Sequence, residues 1–315
     1  MTDPQARALA AVTPAAVTPA AVTRPAVNTA AVTDPPELPG YDGLCWSASI
    51  VDHRGAVVWE HDAALVLPTA SVGKLLLLIT TAELIEAGQV DPGTLLSRTG
   101  DPDDPDDPDD PNDLVRDSGL WHMLQVDRLS IEDLATLIGA VSDNLATNVL
   151  LRSVGLPVVD GVRRRLALVG TRLLDQVRVR RGPDDPPTLS TGRADELSRL
   201  VANADRRWRG EDHVARWLSG NTDLSMVASA FALDPLAHRP LDHPQPALWN
   251  KTGTDTGIRA DVGRVGSGDE ALSYAVLASW DPAYGDRTDV VLAAMGGLGR
   301  WIGHWMGTQP AQPRR

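Results

Sequence analysis

The chain has 315 residues, of which 43% are hydrophobic, and it carries a formal net charge of −13 and a single cysteine. The acidic balance argues against a nucleic-acid partner, which needs a basic surface, and one cysteine excludes an internal disulfide or a cysteine-based zinc site. The seven histidines show no metal-ligand spacing, so we expect neither a metal nor a cofactor.

The apolar segments and the first residues predict where the protein works. No apolar run is long enough to span a bilayer, so no membrane partner is expected. The N-terminus has no basic region, and Thr and Pro interrupt its apolar residues, unlike a secretory signal. The sequence as written therefore predicts a cytoplasmic protein, with secretion as the alternative if the start site is misassigned. None of these features predicts an oligomeric state.

Two segments of low complexity stand apart from the rest of the chain. Residues 1–36 repeat Ala-Ala-Val-Thr-Pro with variations, and the frequent prolines prevent a continuous helix, so we predict a disordered arm. Residues 101–113 repeat Asp-Asp-Pro, and their like charges favour a solvated surface insertion. Calcium binding is the alternative for this acidic insertion, although it has no glycine to shape a calcium loop.

Hydrophobic patterns predict strands near both ends of the chain and helices in its middle. The predicted strands are 44–51, 56–60, 247–254, 258–265 and 272–280. The predicted helices are 75–87, 131–141, 144–154, 158–169, 194–207 and about 286–306.

This order of elements predicts an α/β (α+β) protein whose two chain ends join in one antiparallel sheet flanked by helices. The sheet lobe would comprise 37–75 plus 225–315. An all-helical lobe, 76–224, would be inserted between these parts and would contain the acidic insertion. A site would lie in the cleft between the two lobes.

The first chemical motif, Ser71-Val72-Gly73-Lys74, stands at the start of the predicted helix 75–87. A spacing of three places the serine and the lysine on one face of a helix. The helix N-terminus favours a developing anion on the serine. Burial in the apolar surroundings disfavours the charged form of the lysine, which can then act as a base toward the hydroxyl.

Lysine is rare in this chain, since Lys74 and Lys251 are the only lysines among 29 Lys and Arg residues. Lysine can lose its proton in a protein, whereas arginine cannot. The two lysines are therefore candidates for chemical groups. The alternative is that they are two ordinary surface lysines.

Two further motifs follow in chain order. S-D-N occupies 142–144, between two predicted helices, and K-T-G occupies 251–253, on a predicted strand. Each motif is weak alone, but S-x-x-K, S-D-N and K-T-G in this order are the signature of class A β-lactamases and penicillin-binding proteins. The sequence therefore resembles the penicillin-recognising serine hydrolases, class A β-lactamases most closely, from about Leu44 to Trp305.

The resemblance implies a five-stranded antiparallel sheet with helices and a helical lobe, and a mechanism that passes through an acyl-serine. It implies that Ser71 is the nucleophile and that Lys74 helps to remove its proton. Ser142 would relay a proton to the departing nitrogen. Asn144 would hydrogen-bond Lys74 and the side-chain amide of the substrate.

Substrate-binding roles are also implied by the resemblance. Lys251 and Thr252 would hold the carboxylate of the substrate, and Gly253 would leave room for it along the strand. The backbone N–H groups of Ser71 and Thr254 would form the oxyanion hole.

The roles of two further charged residues near the motifs are less clearly indicated by the sequence. Asp143 is predicted to be structural rather than chemical. Arg259, on the next strand, is either a second contact for the substrate carboxylate or an ordinary exposed strand arginine.

The chain departs from the class A pattern in the loop that should carry the deacylating glutamate. We place this loop near 170–181, which contains no glutamate, and Val177 or Arg178 matches the position. Asp175 is the nearest carboxylate and is predicted to be solvated or salt-bridged. Glu196 reads as an ordinary charge in the first turn of a helix.

These features predict a serine hydrolase acting on a small-molecule substrate, a β-lactam or a related carboxylate-bearing amide or peptide. The first alternative is an acyltransferase or transpeptidase, or another amide or ester hydrolase in small-molecule metabolism. The second alternative is a non-catalytic member of the fold that only binds a ligand.

Overall fold

The computed structural model describes residues 34–99, 115–207, 213–236 and 247–308. The predicted acidic insertion and residues 1–33 of the predicted arm lie outside these residues, so both stay predictions. The division of the chain into a sheet lobe and a helical lobe likewise stays a prediction.

The described chain contains ten strands. They are β1 (Leu44–Asp52), β2 (Val57–His61), β3 (Leu67–Pro68), β4 (Leu95–Ser97), β5 (Arg128–Ser130), β6 (Arg172–Leu173), β7 (Ser190–Gly192), β8 (Leu248–Asp255), β9 (Ile258–Val265) and β10 (Leu272–Trp280). Five of them form one antiparallel sheet in the order β2-β1-β10-β9-β8. Because β1 pairs with β10, the sheet joins the two ends of the described chain, which confirms the predicted fold class.

Seven α-helices complete the described chain. They are α1 (Lys74–Glu86), α2 (Ile131–Val141), α3 (Asn144–Val154), α4 (Leu156–Arg165), α5 (Ala194–Arg207), α6 (His213–Ser219) and α7 (Thr288–Thr308). Their bounds confirm the predicted helices 131–141, 144–154 and 194–207, whereas α6 was not predicted and α4 ends four residues before the predicted 169. A short 3₁₀ turn, Ala70–Gly73, leads directly into α1.

The large sheet separates two hydrophobic clusters, because successive side chains of a strand point to opposite faces. On β10, Tyr274 and Val276 pack in the cluster that contains the apolar side of α7, while Ala275 and Leu277 pack in the cluster that surrounds α1. Every residue of α1 from Lys74 to Ala82 is buried, as its apolar sequence predicts. The fold therefore places the start of α1, with its lysine, in the protein interior.

Among the described residues, no single helix is long and apolar enough to cross a membrane. The pair α3 and α4 passes the same test of length and composition only when the two helices are taken together, and they are bent by 81°.

Candidate active site

Ser71 lies in the 3₁₀ turn that precedes α1, and its side chain is partly exposed. The preceding Ala70 has a φ of +46°, a left-handed conformation that costs a residue with a Cβ about 1–2 kcal/mol. Ser190, on β7, holds this strained turn, since its hydroxyl donates to Ala70 O at 2.6 Å and its carbonyl accepts from Thr69 N at 3.1 Å. The backbone just before Ser71 is therefore held in place by two hydrogen bonds to Ser190.

The edge strand β8 passes close to this turn at Gly253, where there is no side chain. A Cβ at Gly253 would lie 2.1 Å from Thr69 O and 3.2 Å from Ser71 N. Such a contact with backbone atoms leaves no room for any side chain. The glycine of the K-T-G motif is thus required where the strand passes the nucleophile.

The register of β8 and β9 fixes which backbone groups face the turn. A two-residue turn joins the strands, and Asp255 pairs with Ile258. Hydrogen-bonded and non-bonded pairs alternate along an antiparallel ladder, so the N–H of Thr254 points away from β9. Because β8 is an edge strand, no neighbouring strand of the large sheet covers this N–H.

Lys74 is fully buried, and its Nζ is surrounded by oxygen atoms. It donates to Asn144 Oδ1 at 2.5 Å, to Ser142 O at 2.6 Å and to Ser142 Oγ at 3.3 Å. Within the described residues, no hydrogen bond joins Lys74 Nζ to the hydroxyl of Ser71. In ligand-free sites such catalytic contacts are often long and shorten only when a substrate binds.

The pKa of Lys74 is held well below its usual value, first by burial and then by the positive charge of Lys251. The nearby carboxylates of Asp143 and Asp117 oppose this shift. The pocket therefore favours the neutral amine, the form that accepts a proton.

Ser142 connects the two lysines. It lies between α2 and α3 in a left-handed conformation, with φ +55° and ψ +34°. Lys251 Nζ donates to its Oγ at 2.9 Å, and Lys74 Nζ donates to the same atom at 3.3 Å. A non-glycine residue in this strained conformation persists only where its surroundings fix it, and here two buried amines do so.

Lys251 is fully buried on β8, and it also donates to Thr252 O at 2.9 Å. Burial lowers its pKa to about 8, while the carboxylates of Asp223 and Asp261 raise it. Asp261 is itself buried, and its pKa is raised to about 7, mainly by burial. The positive charge of Lys251 is thus retained at neutral pH and lost in mildly alkaline solution.

Asp143 holds the backbone rather than the reacting groups. Its Oδ1 accepts from Ala146 N at 2.8 Å and caps α3, and its Oδ2 accepts from Leu120 N at 2.7 Å and Trp121 N at 2.8 Å. Its carboxylate ties the segment before α2 to the S-D-N motif.

Sequence reasoning did not single out Asn148, which contacts the loop between β6 and β7. The amide of Asn148 donates to Val177 O at 2.9 Å and accepts from Val177 N at 2.8 Å. This double hydrogen bond fixes the backbone of Val177, which, with Arg178, is one of the two positions predicted to match the class A glutamate. Only the fold could reveal it, because the two residues are 29 positions apart in sequence.

Asp175, in this loop, and Glu196, which follows β7, are both engaged by other groups. Asp175 lies 2.7 Å from Arg178 and 2.7 Å from Arg181, and hydrogen bonds from these arginines lower its pKa against the effect of burial. Glu196 accepts hydrogen bonds from three consecutive backbone N–H groups at 169–171. Both residues therefore stabilise the loop.

Arg259 pairs with Thr254 in the β8–β9 ladder, but within the described residues its guanidinium makes no hydrogen bond to another predicted site residue. Its guanidinium donates to Asp255 O at 2.9 Å and to Ile258 O at 2.7 Å, and it lies 5.7 Å from the ring centre of Trp280. Thr288, at the start of α7, accepts a further hydrogen bond at 3.3 Å. These contacts hold Arg259 at the β8–β9 turn.

Comparisons with known proteins place this geometry among related folds. Residues 42–300 match the model of a family described as the beta-lactamase enzyme family. A search of curated proteins found no match.

Solved structures with the same fold include enzymes and a penicillin-binding protein. The β-lactamase of Sphaerobacter thermophilus is 22% identical, with a TM-score of 0.68 over 85% of this chain and 94% of that one. A β-lactamase from Burkholderia vietnamiensis is 20% identical, with a TM-score of 0.64 over 85% and 93% of the two chains. The structure of PBP-A is 14% identical, with a TM-score of 0.64 over 85% and 91%.

Proposed function

Because the chain belongs to the β-lactamase enzyme family, we propose that it is a serine hydrolase that forms an acyl-enzyme at Ser71. The substrate is a β-lactam or a related amide that carries a carboxylate. One observation carries the proposal: two fully buried lysines donate to the single hydroxyl of Ser142, beside the turn that presents Ser71.

Acylation uses the depressed pKa of Lys74. The neutral amine accepts the proton of the Ser71 hydroxyl as its oxygen attacks the substrate carbonyl carbon. The bond from that carbon to nitrogen then breaks, and Ser142 passes a proton to the departing nitrogen. Its Oγ can be reprotonated from Lys74, whose Nζ is 3.3 Å away.

Two groups on β8 bind the substrate during this step. Lys251, still protonated at neutral pH, attracts the carboxylate together with Thr252. The N–H groups of Ser71 and Thr254 stabilise the oxyanion, and such a donor typically contributes about 10²–10³ in rate. Arg259 stays a candidate for a second carboxylate contact, but it would first have to leave its carbonyl partners.

Deacylation is the slow step in this proposal. Val177 or Arg178 stands where class A enzymes are expected to carry a glutamate, and the carboxylates of Asp175 and Glu196 are engaged by arginines and backbone N–H groups. Asp185, in the same loop, is engaged by Arg178 at 3.3 Å and by Gly182 N at 2.7 Å. The acyl-enzyme should therefore be long-lived, and Lys74 is the group left to activate water.

A second function, acyl transfer to an amine, is favoured by the same observation. An acyl-enzyme that water clears slowly can react with another nucleophile. Faster release of the acyl group when D-amino acids are added would support transfer over hydrolysis.

Intact mass spectrometry after incubation with benzylpenicillin tests the proposal. We expect the mass to increase by one penicillin in the native protein and not in Ser71→Ala. The decay of the adduct after removal of free penicillin then measures hydrolysis. If Ser71 reacts with neither penicillins nor a fluorophosphonate, the protein is a non-catalytic member of the fold.

A further inference from the structure

Asp117 provides a carboxylate at the site that the acylation chemistry does not use. Its Oδ1 accepts a hydrogen bond from Asn144 Nδ2 at 2.7 Å. The other end of the same amide, Asn144 Oδ1, accepts from Lys74 at 2.5 Å. Asp117 is therefore separated from the catalytic amine by one side-chain amide, and its charge acts to raise the pKa of Lys74.

The backbone around Asp117 is fixed to the S-D-N motif. Asn144 N donates to Ser118 O at 3.1 Å, and the carboxylate of Asp143 binds the two N–H groups that follow Gly119. Gly119 has a φ of +106°, and a Cβ there would lie 2.5 Å from the Cα of Asp143. This close packing positions the segment against the site.

The side chain of Asp117 is nevertheless open to solvent. Within the described part of the chain, its Oδ2 has no hydrogen-bond donor, and no ion pair joins it to the neighbouring Arg116. An exposed carboxylate with a free oxygen, held rigidly beside a reactive centre, is suited to bind a cation on an incoming molecule.

The hydrogen-bonded groups of the site form a series with opposite charges at its two ends. Lys251 and Lys74 both donate to the Ser142 hydroxyl, Lys74 also donates to Asn144, and Asn144 donates to Asp117. A positive group that attracts a carboxylate stands at one end, and a negative group stands at the other. A zwitterionic molecule placed along this line would meet opposite charges at both ends.

We propose that Asp117 is a specificity-determining residue that selects substrates with a protonated amine on the acyl side and a carboxylate on the leaving side. This inference rests on the proposed function, because it names the substrate class of the same site. It assigns no step of the chemistry to Asp117, whose Oδ1 stays bonded to Asn144 while its Oδ2 contacts the amine of the substrate.

Ampicillin and benzylpenicillin form a matched pair of probes, since they differ only by an amino group on the acyl side chain. We expect the second-order rate constant for acylation of Ser71 to favour ampicillin in the native protein, at a pH where its amine is protonated. An ion pair with an exposed carboxylate contributes at most about 1 kcal/mol, so the preference should be about fivefold.

Asp117→Asn keeps the size of the side chain and the acceptor for Asn144 and removes the charge. In this variant the ratio of the two rate constants should fall by about fivefold, while benzylpenicillin still reacts. Asp269→Asn is the control, because its side chain is 74% exposed in the connection between β9 and β10. It should leave the ratio at the native value.

The two levels of the proposal fail in different ways. If both penicillins acylate Ser71 and the ratio is the same in the native protein and in Asp117→Asn, the proposed function stands and the role of Asp117 is wrong. An equal fall in the ratio for Asp269→Asn would also overturn it, because the effect would then be one of net charge. If neither penicillin forms an adduct in the native protein, both proposals are wrong.

Discussion

At the scale of single residues, two buried lysines with lowered pKa values donate to one hydroxyl, that of Ser142. Lys74, the first residue of α1, is destabilised in its charged form by burial and by the positive charge of Lys251, whereas two carboxylates partly offset the burial of Lys251. In the proposed function Lys74 serves as the base, Lys251 as the anchor for the carboxylate, and Ser142, between them, passes the proton.

Lys251 predicts an alkaline limit to acylation. In the proposed function its protonated form holds the substrate carboxylate, and its pKa is about 8, so kcat/KM for benzylpenicillin should fall as the pH rises through this value. Lys251→Arg keeps its charge at all working pH values, and the fall should disappear in it even if its activity is lower. Stopped-flow acylation between neutral and alkaline pH measures both profiles. An unchanged fall in Lys251→Arg would assign the titration to another group.

Gly253 gives a prediction about packing. In Gly253→Ala the new Cβ would meet Thr69 O at 2.1 Å, so the strand or the nucleophile turn must shift. Overpacking of this kind destabilises a protein by about 1–3 kcal/mol, and acylation should be lost with it. Gly161→Ala is the control, because nothing lies within 4 Å of its Cβ and alanine favours the helix α4 by about 0.5–1 kcal/mol. Denaturant unfolding and the penicillin adduct would separate the two variants; equal effects would contradict the role of close packing.

At the scale of elements, the proposed function makes the loop between β6 and β7 the part that sets how fast water clears the acyl-enzyme. Asn148 on α3 fixes the backbone of Val177, whose side chain is 8% exposed and packs in the cluster around α1. The position is therefore well ordered and apolar. A carboxylate there would have a raised pKa and would be a stronger base than one in water.

Val177→Glu should accordingly speed the loss of the penicillin adduct. General bases typically contribute about 10²–10⁴ in rate, and we expect at least about tenfold faster decay from an unoptimised one. Val177→Gln is the matched control, with the same size and no basic group, and its adduct should decay at the native rate. Time-resolved intact mass spectrometry measures the decay. Equal acceleration in both variants would mean that loosening of the loop, and not base catalysis, admits water.

The elements that sequence patterns predicted well are those with strong local signals. The helices α2 and α3 meet at the S-D-N motif, where Ser142 ends one helix in a left-handed conformation and Asp143 caps the next. Such caps are readable from sequence. The short strands β3, β6 and β7 were missed, because a pairing of two or three residues leaves no periodic pattern and exists only once the nucleophile turn is in place.

The sequence predicted those site residues that belong to the short contiguous motifs S-x-x-K, S-D-N and K-T-G. Asp117 and Asn148 act through partners 27 and 29 positions away, and a single sequence shows no such pairing. Arg259, by contrast, was named from the sequence and its position on a strand was predicted, but its contacts were not. Two backbone carbonyls and the ring of Trp280 hold it.

At the scale of the whole molecule, the nucleophile and its partners come from three separate parts of the chain that meet on the large sheet. The turn before α1, the junction of α2 and α3, and the strand β8 each supply one motif. The pairing of β1 with β10 links the first and last of these parts. Stability of the sheet and geometry of the site are therefore coupled, and changes outside this framework should affect neither.

Replacement of the acidic insertion 101–113 tests that separation. This segment holds eight of the chain's 42 acidic residues, so a Gly-Ser sequence of equal length changes the formal net charge from −13 to −5. Surface changes of this kind typically alter the free energy of unfolding by less than about 0.5 kcal/mol. We expect unchanged acylation by benzylpenicillin and a melting temperature that is insensitive to calcium in both proteins. A calcium-dependent rise in the native protein that the replacement abolishes would instead assign this segment to a metal site, and a loss of acylation would make it part of the substrate cleft.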